Sequence, residues 1–132
     1  MERVTFGGAT LVVYDIDDGT ELNLYRVVRG DRAQAVEFLD SFRSHYELGA
    51  PPRRHERRST IIHMGLSTYR SAPQAVGTAR RFPRIGSHVA QLRLVPDEGF
   101  NFADTGHPGH VTVWGDPFSL ARSVIDIQIV DR

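Results

Sequence analysis

Residues 59–70 read STIIHMGLSTYR, and the division of this stretch between strand, turn and helix decides the fold. Ser59 to Met64 starts apolar and β-branched, which favours a buried strand running into a turn. In that strand Thr60, Ile62 and Met64 share one face, and Ser59, Ile61 and His63 the other. Gly65 permits a bulge or a close backbone approach. Ser67, Thr68 and Tyr69 then fall at a strand–helix junction, where hydroxyls cap amides. The competing reading is a ligand pocket, with Gly65 admitting the ligand, the hydroxyls orienting it and Tyr69 stacking on a planar ring.

Towards the C-terminus, Ser71 with Gln74 has the spacing of a capping box. Ala72, Ala75, Val76 and Ala79 share a helical face, and Pro83 bounds the helix. SHVAQLRLV (87–95) alternates as a strand. Residues 96–109 are loop-like, with a short strand at 100–103. HVTVW (110–114) is a strand, Asp116 and Pro117 suit the N-cap and first turn of a short helix, and IDIQIV (125–130) alternates as a last strand. Towards the N-terminus, APPRRHERR (50–58) is a polar loop. Asp31 with Gln34 starts a helix whose face carries Ala35, Phe38, Leu39, Phe42 and Tyr46, ended by Gly49 and Pro51. LVVYDI (11–16) and LNLYRVV (22–28), separated by DDGT, read as a hairpin. The order lacks regular βαβ alternation. It predicts an α+β fold: a single compact domain over residues 1–132, with a mixed or mainly antiparallel sheet and two to three short helices.

The composition, 40% hydrophobic and 24% charged, sustains a real core in 132 residues. No apolar run approaches a membrane span, and MERVTFGG has no signal-peptide core, so the expected location is cytoplasmic. No cysteine is present, which excludes thiolate catalysis and Cys-based zinc sites. The zero formal charge argues against a nucleic-acid binder held by a strong overall field. All 16 basic residues are Arg. No lysine Schiff base or Walker-type lysine is available, so phosphates and carboxylates must be held by Arg forks, backbone amides or histidine.

Arg26 stands at the centre of an apolar strand. Burying a guanidinium is costly unless it is paired, so it has either an acidic partner (Asp15, Asp17 or Asp126) or an anion in a cleft. RRHERR (53–58) reads as a solvated loop, with a protein or RNA target as the functional alternative. Asp104, His107 and His110 are three apart, but Gly106, Pro108 and Gly109 forbid the helix that would gather them, and no metal is expected. His110-Val-Thr112 matches the H-x-T pattern of phosphoesterases that use two histidines, and His63, His88 and His107 are the candidates for the second. Trp114 reads as core or rim.

A strand ending in Tyr25-Arg26, a helix, an apolar strand into Gly65-Leu66-Ser67-Thr68-Tyr69, a small-residue helix and an alternating strand resemble the ADP-ribosyltransferase-like fold, over about residues 22–95. That fold includes the small NAD-degrading toxin domains named for Arg, Glu and Ser. The resemblance implies a small NAD-handling enzyme, a toxin or defence effector, acting by ADP-ribosyl transfer or NAD glycohydrolysis. It makes Arg26, Ser67 and Glu98 catalytic, and places Arg26, Tyr25, His63, Gly65, Thr68 and Tyr69 around NAD. The family's Glu-x-Glu is missing. Glu98 is the only late glutamate, and Asp104 and Asp116 are its stand-ins. Two alternatives stay open: a phosphoester- or RNA-processing protein using His110 and Thr112, and a non-catalytic interaction module.

Overall fold

Leu24 and Val28 are buried on one side of the strand Leu22–Val28, and Val27 is buried on the other. A strand covered on both faces belongs inside a sheet. That is its place in the computed structural model, which describes residues 2–6, 9–52 and 59–131. Among the described residues, one antiparallel sheet contains β1 (Glu2–Phe6), β2 (Ala9–Asp15), β3 (Leu22–Val28), β4 (Leu66–Tyr69), β5 (His88–Leu94), β6 (Asn101–Asp104), β7 (His110–Trp114) and β8 (Val124–Ile129). The order across the sheet is β1-β2-β6-β7-β4-β3-β5-β8. The short helices α1 (Ala35–Asp40), α2 (Thr60–His63), α3 (Ala72–Arg81) and α4 (Pro117–Arg122) complete an α+β fold. None of them is long and apolar enough to cross a membrane.

Side-chain alternation sorts the core into two layers. Leu24, Val28, Leu66, Leu92 and Val113 pack with Phe38 of α1, with Phe42 just beyond it, and with Leu120 of α4. On the opposite face Val27, Tyr69 and Val89 pack with Ala75 and Ala79 of α3. The alanines let α3 lie close to the strands. Its start is the expected cap, with the Gln74 N–H donating to Ser71 Oγ at 3.3 Å.

The expected hairpin over residues 11–28 does not form. β2 pairs with β1 and β6, while β3 pairs with β4 and β5. β3 is the more deeply buried strand, so it takes an interior position and β2 goes towards the edge with β1, which the apolar pattern does not reveal. The strand expected at 59–64 is α2, one helical turn. A short apolar run fits either state, and here only Ile62 of that turn is buried. Ser67, Thr68 and Tyr69 therefore lie within β4 and are not junction caps. The helix expected from Asp31 to Tyr46 shrinks to α1. Asp31 and Gln34 do bond each other's neighbourhood, the Ala33 N–H donating to Asp31 Oδ1 and the Asp31 N–H to Gln34 Oε1, but they form a turn ahead of the helix. Among the described residues every strand pair is antiparallel, the second of the two sheet forms expected. Among the described residues the α-helices number four where two or three were expected.

Gly65 sits between α2 and β4 with no room for a side chain. A Cβ there would stand 2.3 Å from Thr112 Cγ2 and 2.9 Å from Trp114 Nε1. The Trp114 Nε1–H is already committed to the Ile61 carbonyl at 2.8 Å. Gly65→Ala should therefore destabilise the protein by about 1–3 kcal/mol through overpacking. The measurement is the urea midpoint, and an unchanged midpoint would mean that β7 yields freely.

Candidate functional site

β3 and β4 are neighbours, yet they share one register pair, Tyr25 with Tyr69. From there towards Val28 the ladder stops. β3 continues to pair with β5 along its whole length, and β4 pairs with β7 from Leu66 to Tyr69. The two halves of the sheet separate at this point. Arg26 bridges the gap. It lies opposite Ala90 on β5, whose single methyl leaves space for a long side chain. Arg26 Nη1 donates to the Ser67 carbonyl at 2.7 Å, and Nε donates to the Ser41 carbonyl at 2.5 Å. One guanidinium thus ties β3 to β4 and to the turn after α1. The sequence offered Arg26 an aspartate partner or an anion in a cleft; the structure gives it these two main-chain acceptors and a cleft.

A cleft of about 890 Å³ opens at this gap, within the usual range for small-molecule sites. Its floor includes Arg26, Gly65, Leu66 and Ser67. Residues between 40 and 48, α3, the 3-10 turn Pro83–Ile85, His107 and His110 complete its lining. Strand alternation puts Ser67 with Tyr69 on the α3 side, and Arg26 with Leu24 on the α1 side. Both reach one cleft because the strands have parted.

The charge of the lining is one-sided. Arg26, Arg29, Arg43, Arg81 and Arg84 contribute guanidinium groups, and Asp40 is the one carboxylate among the described lining residues. Asp40 accepts from Arg43 Nη1 at 3.1 Å. Arg29, Arg81 and Arg84 are exposed. Planar forks of this kind suit phosphate or carboxylate oxygens. A chain of zero net charge thus concentrates positive potential in one concave surface.

Beside the cleft, at His110, lies a buried polar network. His110, Thr105 and Thr112 are all buried. His110 Nδ1 lies 3.0 Å from Thr105 Oγ1 and 3.1 Å from the Thr105 carbonyl, and Thr105 Oγ1 lies 2.7 Å from Thr112 Oγ1. The Tyr69 ring meets the His110 ring edge-on at 5.5 Å. The exposed His107 ring lies 5.6 Å from His110.

The structure thus brings Arg26, Gly65, Ser67 and Tyr69 together. Tyr25 packs against the α3 layer. Thr68 is fully buried and donates to the Val111 carbonyl at 2.8 Å. His63 Nε2 bonds the Ala50 carbonyl at 2.9 Å, and its ring stands against Tyr46. None of these three lines the cleft. Glu98 is exposed in the β5–β6 connection, which runs from the Leu94 end of the sheet to Asn101 at the other, and it does not line the cleft. Asp104 forms an exposed pair with Arg70 at 2.8 Å. His88 bonds Ser87 Oγ, away from the cleft. The 53–58 stretch RRHERR lies outside the described residues. Sequence reasoning missed Arg29, Arg43, Arg81, Arg84 and His45, because scattered arginines carry no spacing signal.

Arg26→Ala leaves the Ser41 and Ser67 carbonyls without their charged donor. A stability loss of about 1.5–3 kcal/mol is expected, against about 0.5 kcal/mol or less for the exposed Arg84→Ala. Equal losses in urea titrations of the two variants would mean that Arg26 is not the tie across the gap. No protein-family model, curated protein or solved structure matches the chain, which leaves the cleft's own geometry to carry its functional reading.

Proposed function

We propose that this protein is an enzyme that binds a phosphate-bearing nucleotide of the NAD class in the cleft between β3 and β4. The observation that carries the reading is the concentration of five arginines and one carboxylate around about 890 Å³ of concave space. Guanidinium forks hold a pyrophosphate bidentately. Tyr69, Leu48 and Phe82, all lining the cleft, offer apolar surface to a base or a nicotinamide ring. A non-catalytic module would be better served by a shallow surface than by a cleft of this depth. The resemblance to the ADP-ribosyltransferase-like fold points to the same ligand class. It also points to the nicotinamide–ribose bond, whose cleavage calls for a carboxylate facing the ribose. Glu98 does not line the cleft, and Asp40 is engaged by Arg43.

Calorimetric titration tests the reading. NAD and ADP-ribose should bind, nicotinamide alone should not, and affinity should fall with added salt. Arg29→Ala and Arg84→Ala should each weaken NAD binding by roughly 10-fold, the scale of one charged hydrogen bond. No heat of binding, and no rise in melting temperature at millimolar NAD, would end the reading.

A further inference from the structure

Alternation along β8 decides which of its main-chain groups are left over. The Val130 N–H donates to the Ser87 carbonyl at 2.9 Å, so Val130 turns its main chain towards β5. Gln128 and Asp126, opposite Val89 and Gln91, do the same, and Ile127 and Ile129 turn theirs to the outer side. β8 is the last strand of the sheet, with no strand beyond it among the described residues. At both ends of this edge an arginine takes a main-chain carbonyl. Arg32 Nη2 donates to Val124 at 2.7 Å, and Arg80 Nε to Asp131 at 3.1 Å. Between them the N–H and C=O groups of Ile127 and Ile129 have no described strand to pair with. Ile129 is 71% exposed, Gln128 is exposed and Ile127 is half-buried. The usual guards of an edge are missing here, since residues 127–130 hold no charge and no proline. β1, at the other edge, carries Glu2 and Arg3.

We infer that β8 is the contact by which two copies of this chain form a two-fold dimer, pairing edge to edge into one continuous antiparallel sheet. The occupant of the edge is a second copy because the edge complements itself. With the axis at Gln128, Ile127 of each copy lies opposite Ile129 of the other, and each such pair exchanges both of its outward N–H···O bonds. The two Gln128 side chains meet on the axis, amide donor to amide acceptor. Asp126 lies opposite Val130. Ile127 packs on the α1 and α4 side, and Ile129, two residues on, shares that face. A two-fold perpendicular to the sheet keeps the faces in common, so the four isoleucines form one apolar patch. Other registers do worse. An axis at Asp126 sets two carboxylates against each other. An axis at Ile127 brings in Ile125, which the register shift between Gln91 and Leu92 leaves out of the ladder. An axis at Ile129 needs the Asp131 carbonyl, which Arg80 holds. A contact this short lies at the small end of interfaces, so the dimer dissociates on dilution. β3 and β5 stand between β8 and the cleft, so association and nucleotide binding are independent.

Sedimentation equilibrium of the full chain without nucleotide, up to about 0.5 mM, tests this. Twice the chain mass is expected at the top of that range, falling to one chain on dilution. Gln128→Glu and Gln128→Lys, at an exposed position, each set like charges face to face on the axis. Each should weaken the dimer by about 5- to 10-fold, with the melting temperature of the dilute monomer unchanged. An equimolar mixture of the two should associate at least as tightly as the native chain, through a Glu–Lys pair. In hydrogen exchange the Ile127 and Ile129 amides should gain protection as concentration rises, and the Gln128 amide, already turned to β5, should not. A single-chain mass at every concentration, which would leave the edge to a strand of another protein, overturns the inference. So does a dimer that Gln128→Glu leaves intact, or a mixture that recovers nothing.

Discussion

Everything at the cleft depends on the Arg26 guanidinium lodged between two strands that have stopped pairing. When β3 and β4 part beyond Tyr25 and Tyr69, main-chain groups along the gap lose their ladder partners. A carbonyl left unpaired away from water is costly. A half-buried guanidinium without acceptors is costly too. The contacts of Arg26 to Ser67 and Ser41 meet both needs at once. The sheet can split without unravelling, because β4 is still fully paired to β7 and β3 to β5. The split supplies concavity that a continuous sheet lacks.

Positive charge then gathers where the concavity is. Arg29 leaves the end of β3, Arg43 follows α1, Arg81 ends α3 and Arg84 lies in the next turn. Each sits at or near the end of an element, and together they line the one cleft. Like charges this close repel one another, and water screens them because most are exposed. An anionic ligand would relieve that repulsion and replace part of their hydration. The opposite regime holds at the His110 end, where burial makes each hydroxyl and ring nitrogen dependent on a specific partner.

The parts of the fold that were legible in sequence are those where local chemistry and tertiary demand agree. SHVAQLRLV and HVTVW alternate or run apolar within flanking turns and become β5 and β7. Ser71 and Gln74 cap α3 with the spacing their side chains require. STIIHM is different: a few β-branched residues beside a glycine satisfy one helical turn as well as a strand. The reason for Gly65 is the Thr112 and Trp114 side chains of β7, nearly fifty positions away. The hairpin reading of residues 11–28 failed for a similar reason. Turn residues permit two strands to pair, but the depth of burial on each face decides which strands do.

By itself, the sequence determined the class of the fold, most of the strands, the helix after Ser71 and the use of arginine for every basic side chain. These follow from periodicity, capping and residue inventory, which act over a few neighbouring positions. Strand order, the split between β3 and β4, and the meeting of Arg26 with Ser67 were decided only by the tertiary structure. So were the convergence of four further arginines and the exclusion of Glu98 from the cleft. These depend on which buried faces must be covered and which carbonyls must find donors, conditions set by residues far apart in the chain.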